Sequence, residues 1–374
     1  MESDQIYQEL RSHLDRGPVP FPVTGSGVEI RILKQLFTPE EARAALWLSA
    51  IPEPLKRIQR RAQAGIGREQ LGGTLDLMAA KGVINKLPAK SGPVYFKAPL
   101  VVGMYESQVD RLTPEFELDV RAYLGEAFGR ALHSTRTPQM RTVPVNKSIK
   151  VEHAVASHND IRHFVEASPG PFAALNCICR QGKDLTGEPC RHTQARRNCL
   201  MIGMAATMMT ERGLARPVSK EEMLELLEEA DREGLVLQPQ NTQNPMFVCV
   251  CCGCCCGVLT SAKRLPRPAE FFQTDFVAEL DQEACQSCGV CETRCQMDAI
   301  ASNDGPPKVL AERCIGCGLC VTTCPSGAAR LLRKEGRKPP PSDTMALYST
   351  LFQERYGKLG ATAVMAGHLL GRKF

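Results

Sequence analysis

The chain has 374 residues, 18 of them Cys, carries a formal net charge of +5 and is 43% hydrophobic. This length allows about two to four domains. Cysteine runs such as C-V-C-C-G-C-C-C (249–256) suit a disulfide framework poorly, because adjacent thiols cannot pair with each other without strain, and they favour metal centres in a reducing cytoplasm. The polar N-terminus has no apolar core and no stretch reaches about 18 apolar residues, so neither a secretory signal nor a membrane span is expected.

Residues 1–135 are predicted to form a helical, winged-helix-like domain. Predicted helices cover 1–16, 74–80 and 100–135, a further helix starts at Thr38-Pro39, and two wing strands cover 83–84 and 94–96. Residues 31–100 contain twelve Lys/Arg against five Asp/Glu, a balance that attracts duplex DNA. The basic segment Arg57, Arg60 and Arg61 is short, so a structural or protein-docking domain with a solvated basic face is the open alternative.

Residues 136–280 are predicted to form a Cys-rich α/β domain with a second metal site. Its strand–helix–strand unit comprises a strand over 145–151, a helix over 160–167, and a strand over 171–179 that delivers Cys177 and Cys179. The apolar segment 200–210 indicates a buried helix, and Ser219 starts another. His153, His158 and His163 are five residues apart, which places no two on one helix face, so they are interpreted as surface or capping residues.

Ten cysteines of this domain lie on two loops and are candidate metal ligands. They are Cys177, Cys179, Cys190, Cys199, Cys249, Cys251, Cys252, Cys254, Cys255 and Cys256. Eight thiolates could hold two further [4Fe-4S] clusters, or fewer could hold one unusual cluster beside a free dithiol. Zinc is a further alternative for the first four cysteines. Both loops follow strand-like segments, and we expect parallel neighbouring strands to bring all ten thiols to one shared site.

Residues 281–334 contain two copies of the spacing C-x2-C-x2-C-x3-C, which predicts two [4Fe-4S] clusters. Three thiolates of each copy can surround one cubane, and the fourth ligates the other cluster. The predicted ligand sets are therefore Cys285, Cys288, Cys291 and Cys324 for one cluster, and Cys314, Cys317, Cys320 and Cys295 for the second. A pair of zinc ribbons is the alternative, although zinc sites rarely need third and fourth Cys at these intervals.

The stretch 285–330 resembles the bacterial two-cluster ferredoxin domain. It departs from that pattern at one position, since Cys324 is followed by Pro325 whereas Cys295 is followed by Gln296. Residues 30–335 as a whole, with the CICR and CCGCCCG runs, resemble 4Fe-4S ferredoxin-type (dicluster) proteins of anaerobes that carry an N-terminal winged helix. This resemblance implies iron–sulfur binding and electron transfer, and it supplies no substrate.

The expected function is therefore electron transfer in the cytoplasm, as an electron carrier or oxidoreductase subunit with a redox partner protein. A redox-responsive DNA-binding regulator is the alternative, and an enzyme that reduces a substrate at its Cys-rich centre is a third possibility. No nucleotide, P-loop or flavin motif occurs in the chain. The tail, 335–374, is predicted to be helical, with segments at 342–357 and 360–370 that serve packing or a homo-oligomer contact.

Overall fold

The computed structural model describes residues 2–62, 66–145, 148, 159–302 and 305–369. The chain is multidomain and mixes helices with strands. It divides into a first unit, Met1–Thr135 with Tyr348–Phe374, and a second unit, Arg136–Leu347. The second unit contains all 18 cysteines.

The first unit consists of helices and a small sheet. The helices are α1 (Glu2–Asp15), α2 (Val28–Leu36), α3 (Pro39–Ala45), α4 (Leu55–Ala62), α5 (Arg68–Lys81), α6 (Pro114–Tyr123) and α7 (Gly129–Leu132). The strands are β1 (Glu53–Pro54), β2 (Ile84–Leu87) and β3 (Val94–Lys97). The sheet is antiparallel in the order β1-β3-β2.

Local sequence explains where several of these helices begin and end. Thr38 and Glu41 form a reciprocal capping box at the start of α3, as the Thr38-Pro39 signal predicts. Gly82, in the left-handed conformation, ends α5, which begins earlier than the predicted 74–80 helix. The predicted helix over 100–135 is interrupted, because Leu100–Met104 contains non-helical dihedral angles and α6 starts only after its cap Thr113.

The second unit carries the remaining short helices and strands. The helices are α8 (Ile161–Ala167), α9 (Ile178–Leu185), α10 (Met204–Glu211), α11 (Lys220–Arg232), α12 (Gly257–Lys263), α13 (Val290–Arg294) and α14 (Leu319–Thr322). The strands are β4 (Phe172–Leu175), β5 (Cys199–Ile202), β6 (Arg216–Val218), β7 (Val236–Pro239), β8 (Phe247–Cys251), β9 (Phe276–Leu280), β10 (Ile300–Ala301), β11 (Lys308–Val309) and β12 (Ala329–Arg333).

A five-stranded antiparallel sheet, in the order β6-β4-β5-β8-β7, forms the centre of the second unit. Side chains alternate between its two faces. Leu200, Val248 and Val250 belong to one face and are fully or almost fully buried in the core that also includes Met223 and Leu227 of α11. The opposite face carries Cys199, Cys249 and Cys251, so the alternation places these three thiols on one side of the sheet.

Three expectations for this region need correction. The strand predicted over 171–179 ends at Leu175, and Cys177 caps α9, so Cys179 lies in the first helical turn. The predicted parallel neighbours β4 and β8 are separated by β5, to which both are antiparallel. The apolar segment 200–210 is divided between β5 and α10 because Gly203, at φ 62°, changes the chain direction between them.

The region after residue 275 forms a pair of similar halves. Strands β9 and β12 pair with each other, and β10 pairs with β11. Left-handed Gly289 and Gly318 precede the short helices α13 and α14, respectively. These turns place a cysteine loop before each helix, which is the arrangement that two matched ligand runs require.

The tail is one element, α15 (Thr344–Leu369), in which Gly357 at φ 71° interrupts the helical geometry between the two predicted segments. Arg355 donates to Asp15 at 2.8 Å and to the carbonyl of Gly17 at 2.9 Å. No helix of the described ranges is long and apolar enough to cross a membrane. The strand predicted over 145–151 lies outside the described residues except for Val145 and Ser148, and His153 and His158 lie outside them entirely.

Candidate metal centres

The four cysteines predicted to bind the second cluster line one cavity. The lining includes Cys295, Cys314, Cys317 and Cys320 together with apolar side chains such as Ile315. Backbone amides also reach two of the sulfurs: Ala278 donates to Cys314 at 3.4 Å and Ala299 donates to Cys295 at 3.1 Å. This donor set and its amide hydrogen bonds fit an iron–sulfur cluster, whose potential such bonds and burial tune.

Burial determines the proton affinity of these thiols. It raises the pKa of Cys320 to about 12 and raises the pKa of Cys295 and Cys317 above the usual value. Cys295, Cys317 and Cys320 are therefore neutral without a metal, and metal binding must release their protons.

The cysteines predicted to bind the first cluster are more accessible. Cys288 is exposed, and Cys285, Cys291 and Cys324 are partly buried. The loop 284–290 around Cys288 is itself mostly exposed. A centre held here would be closer to solvent than one held in the cavity lined by Cys314 and Cys320.

Four thiols of the middle region form a compact group, which we call the four-thiol group: Cys190, Cys252, Cys254 and Cys255. Sulfur–sulfur distances from Cys190 are 3.6 Å to Cys252 and 3.7 Å to Cys254. Cys254 is 3.6 Å from both Cys252 and Cys255. Among the described residues, this is the one set of three or more metal-binding side chains whose ligand atoms all lie within 4.8 Å of one another.

The other six thiols form a second, more extended set, the six-thiol group: Cys177, Cys179, Cys199, Cys249, Cys251 and Cys256. Cys199 lies directly opposite Cys249 in the β5–β8 pair. Successive side-chain contacts join Cys199 to Cys249, Cys249 to Cys251, Cys251 to Cys256, Cys256 to Cys179 and Cys179 to Cys177. These neighbouring sulfurs, together with burial, raise the pKa of Cys177, Cys249, Cys251 and Cys256.

Both cysteine loops contribute to each group. The loop between Cys177 and Cys199 supplies one thiol to the four-thiol group and three to the six-thiol group, and the loop 249–256 supplies the rest. The geometry thus brings the loops together but divides the ten thiols into two groups. The zinc alternative based on Cys177, Cys179, Cys190 and Cys199 is not a compact set, because Cys190 lies with Cys252 and Cys254 instead.

Arg180 is a charged residue that the sequence reasoning did not single out. It is fully buried, and its Nη2 donates to the carbonyl of Val250 at 3.0 Å. Its Nε and Nη1 have no hydrogen-bond partner among the described residues. Burial lowers its pKa, but the nearby sulfurs of Cys177 and Cys252, and then those of Cys190 and Cys251, outweigh burial and raise the pKa overall. The guanidinium therefore sits in the field of both thiol groups.

Gln296 connects the ferredoxin-like run to the four-thiol group. It directly follows Cys295 and is 2% exposed. Its Oε1 accepts from the amide of Gly253 at 2.7 Å, and its Nε2 donates to the carbonyl of Gly234 at 2.8 Å. The sequence signal for this residue is its departure from the Cys-Pro pattern seen at Cys324.

The positions of two further side chains, Arg294 and His163, are explained without a metal. Arg294 pairs with Asp231 at 3.2 Å and donates to the carbonyl of Arg232 at 3.1 Å. His163 is exposed on α8, as expected for a surface residue.

Residues 307–330 match the family described as 4Fe-4S binding domain. This match contains Cys314, Cys317, Cys320 and Cys324 and indicates at least one [4Fe-4S] cluster. No curated protein and no solved structure matches the chain.

Proposed function

We propose that the protein is an iron–sulfur electron-transfer protein of the cytoplasm that works with a redox partner protein. Two [4Fe-4S] clusters would be held by the crossed sets predicted from residues 285–324, and a further iron–sulfur centre by the six-thiol group. The clusters supply one-electron redox chemistry when bound. The proposed domains are a winged-helix-like segment (1–135), a Cys-rich segment (136–280), a ferredoxin segment (281–334) and a helical tail (335–374).

The observation that carries this proposal is the position of Gln296. Its backbone is continuous with Cys295, and its side chain binds Gly253, which lies between Cys252 and Cys254. The predicted second cluster and the middle-region thiols are therefore neighbours in one compact unit. The accessible loop near Cys288 offers a place for a partner to exchange electrons.

Anaerobic purification tests the proposal. The intact chain should be brown and contain at least about eight iron and eight sulfide ions, as two [4Fe-4S] clusters require. Reduction with dithionite should produce electron paramagnetic resonance signals from interacting clusters. A folded, anaerobically purified chain that contains zinc and no sulfide would overturn the proposal.

The regulator alternative has less support in the first unit. Arg57 and Arg61 both pair with Glu53, whose side chain is 1% exposed, at 2.8 and 2.9 Å. These two guanidinium groups therefore compensate an internal charge and contribute little to a DNA-facing surface. A gel-shift assay at low salt in both redox states checks this: binding that changes on reduction would favour the regulator.

A further inference from the structure

We propose that the four-thiol group binds a single tetrahedral metal ion of the zinc type, separate from the iron–sulfur clusters. A tetrahedral ion with metal–sulfur bonds of about 2.3 Å places its ligand sulfurs about 3.8 Å apart. The sulfur–sulfur separations from Cys254 are 3.6 Å to Cys252, 3.6 Å to Cys255 and 3.7 Å to Cys190. Cys190 and Cys252 are also 3.6 Å apart. Four sulfurs at these separations leave a central space that fits one metal ion.

The same spacing does not suit a cubane. In a [4Fe-4S] cluster each thiolate binds a different iron, so the four ligand sulfurs stand farther apart than four sulfurs on one ion. The ferredoxin-like run provides an internal comparison. Its cysteines are all described, and no three of their sulfurs lie mutually within 4.8 Å. The chain therefore contains two distinct thiol spacings.

The chain fixes the four-thiol group from two directions. Cys252, Cys254 and Cys255 come from one four-residue turn whose remaining member is Gly253. A side-chain carbon at position 253 would lie 2.1 Å from the backbone oxygen of Gln296, so the turn is pressed against that residue. Cys190 reaches the same point from the loop that precedes β5. Three of the four thiols are nearly or fully buried, which is typical of a closed structural site without an open coordination position.

Charge balance also favours this site. Four thiolates around a divalent ion leave two excess negative charges, which are costly to bury without compensation. Arg180 is buried nearby and has two nitrogens without a hydrogen-bond partner among the described residues. Its positive charge compensates part of the excess. A single iron ion could bind to the same four thiolates. Zinc and iron therefore fit this site equally in ligand chemistry, and X-ray absorption distinguishes them.

X-ray absorption on the unmodified, anaerobically purified chain provides the direct test. We expect about one zinc per chain, surrounded by four sulfurs at about 2.3 Å and without a neighbouring metal. A single iron with four sulfurs, present in excess of the sulfide, would support the same site with iron as the ion. The absence of both kinds of four-sulfur mononuclear site would overturn the proposal. Sulfide content tests the electron-transfer function separately, so the two proposals can fail independently.

Two matched variants assign the site to its residues. Cys190→Ser should lose most of the mononuclear metal and keep its sulfide content, whereas Cys199→Ser, in the six-thiol group, should keep that metal. Loss of several iron and sulfide ions from Cys190→Ser with its zinc unchanged would overturn the assignment. If Cys190→Ser does not fold, the absorption measurement on the unmodified chain still decides whether a mononuclear site exists.

Discussion

Gln296 accepts a 2.7 Å hydrogen bond through its Oε1 from the amide of Gly253. The same side chain donates to the carbonyl of Gly234. One amide therefore joins the ferredoxin-like run, the turn of the four-thiol group and the segment before β7. Its position immediately after Cys295 makes it a direct connection between the two cysteine-rich parts of the second unit.

Replacing Gln296 should loosen this connection. Gln296→Leu keeps much of the volume but leaves the partly buried amide of Gly253 and the buried carbonyl of Gly234 without this partner, at a cost of about 2 kcal/mol. We expect the temperature at which the clusters bleach to fall by roughly 4–8 °C. Anaerobic thermal scans followed by visible absorption measure this. Gln286→Leu, on the exposed loop of the same run, should leave the temperature unchanged, and equal effects of the two changes would contradict the prediction.

Gly253 should not accept a side chain. Gly253→Ala places a carbon against the backbone oxygen of Gln296, so the turn carrying Cys252 and Cys254 must move. We expect this variant to lose most of the mononuclear metal, as measured by elemental analysis. Gly73→Ala is the control, because position 73 lies in α5 with open space around it, and alanine there should be neutral or stabilising. Full metal content in Gly253→Ala would show that the turn can move without loss of the site.

The charge of Arg180 should influence the reduction potential of the iron–sulfur centre proposed for the six-thiol group. A reduced centre carries one more negative charge, so removing the buried guanidinium should make reduction harder. For Arg180→Gln we expect the midpoint potential to fall by on the order of 60 mV, a tenfold change for one electron. Arg180→Lys keeps the charge and should shift the potential less. Redox titration monitored by electron paramagnetic resonance provides the values, and identical shifts in both variants would rule out a charge effect.

Oxygen should attack the two predicted ferredoxin clusters at different rates. Cys288 is exposed, whereas Cys314 and Cys320 are almost fully buried. We expect iron release to a chelator in air to include a fast phase from the first ferredoxin cluster and a slow phase from the second, in addition to the iron released by the centre in the six-thiol group. Cys288→Ser should remove the fast phase, and Cys320→Ser should remove the slow phase. A single phase in the unmodified chain would mean that accessibility does not separate the clusters.

Arg61 should matter for the stability of the first unit. It donates to Glu53 and to the carbonyl of Trp47, and Glu53 is buried. Arg61→Ala leaves part of the Glu53 charge uncompensated, and we expect a loss on the order of 3 kcal/mol in the free energy of unfolding of that unit. Urea unfolding followed by the fluorescence of Trp47 measures it. Arg60→Ala, at an exposed position on the same helix, is the control and should change stability by less than about 0.5 kcal/mol.

Local signals in the sequence predict much of the second unit. Ser219 caps α11 as expected, and its hydroxyl accepts from the amide of Glu222. The repeated cysteine spacing predicts the loops before α13 and α14. This prediction is possible from the sequence because cysteine spacing and left-handed glycines are properties of a short segment and do not depend on distant contacts. The 4Fe-4S binding domain expected there is confirmed for residues 307–330. The full set of ligands remains a prediction.

Tertiary pairing accounts for what the sequence could not predict. The segment beginning at Cys199 has no clear periodicity, and a short apolar run does not distinguish a strand from a buried helix. Because the sequence does not reveal β5, the expectation that β4 and β8 are neighbours is wrong. The division of ten thiols into two groups follows from that pairing, because Cys199 meets Cys249 only across strands β5 and β8. The contact between Gln296 and Gly253 joins residues 43 positions apart, which no local pattern reveals.

The pairing of Cys199 with Cys249 also restricts where the chain can gain or lose residues. Side chains alternate along a strand, so a one-residue insertion or deletion within β8 would turn Cys249 and Cys251 to the hydrophobic face and bring valines toward the sulfurs. The connection between β7 and β8 carries no cysteine, but Thr242 in it is fully buried and Gln243 donates to the carbonyls of Pro340 and Pro341, so its length is restrained as well. Engineered tags or evolutionary insertions should therefore be rejected within 247–251.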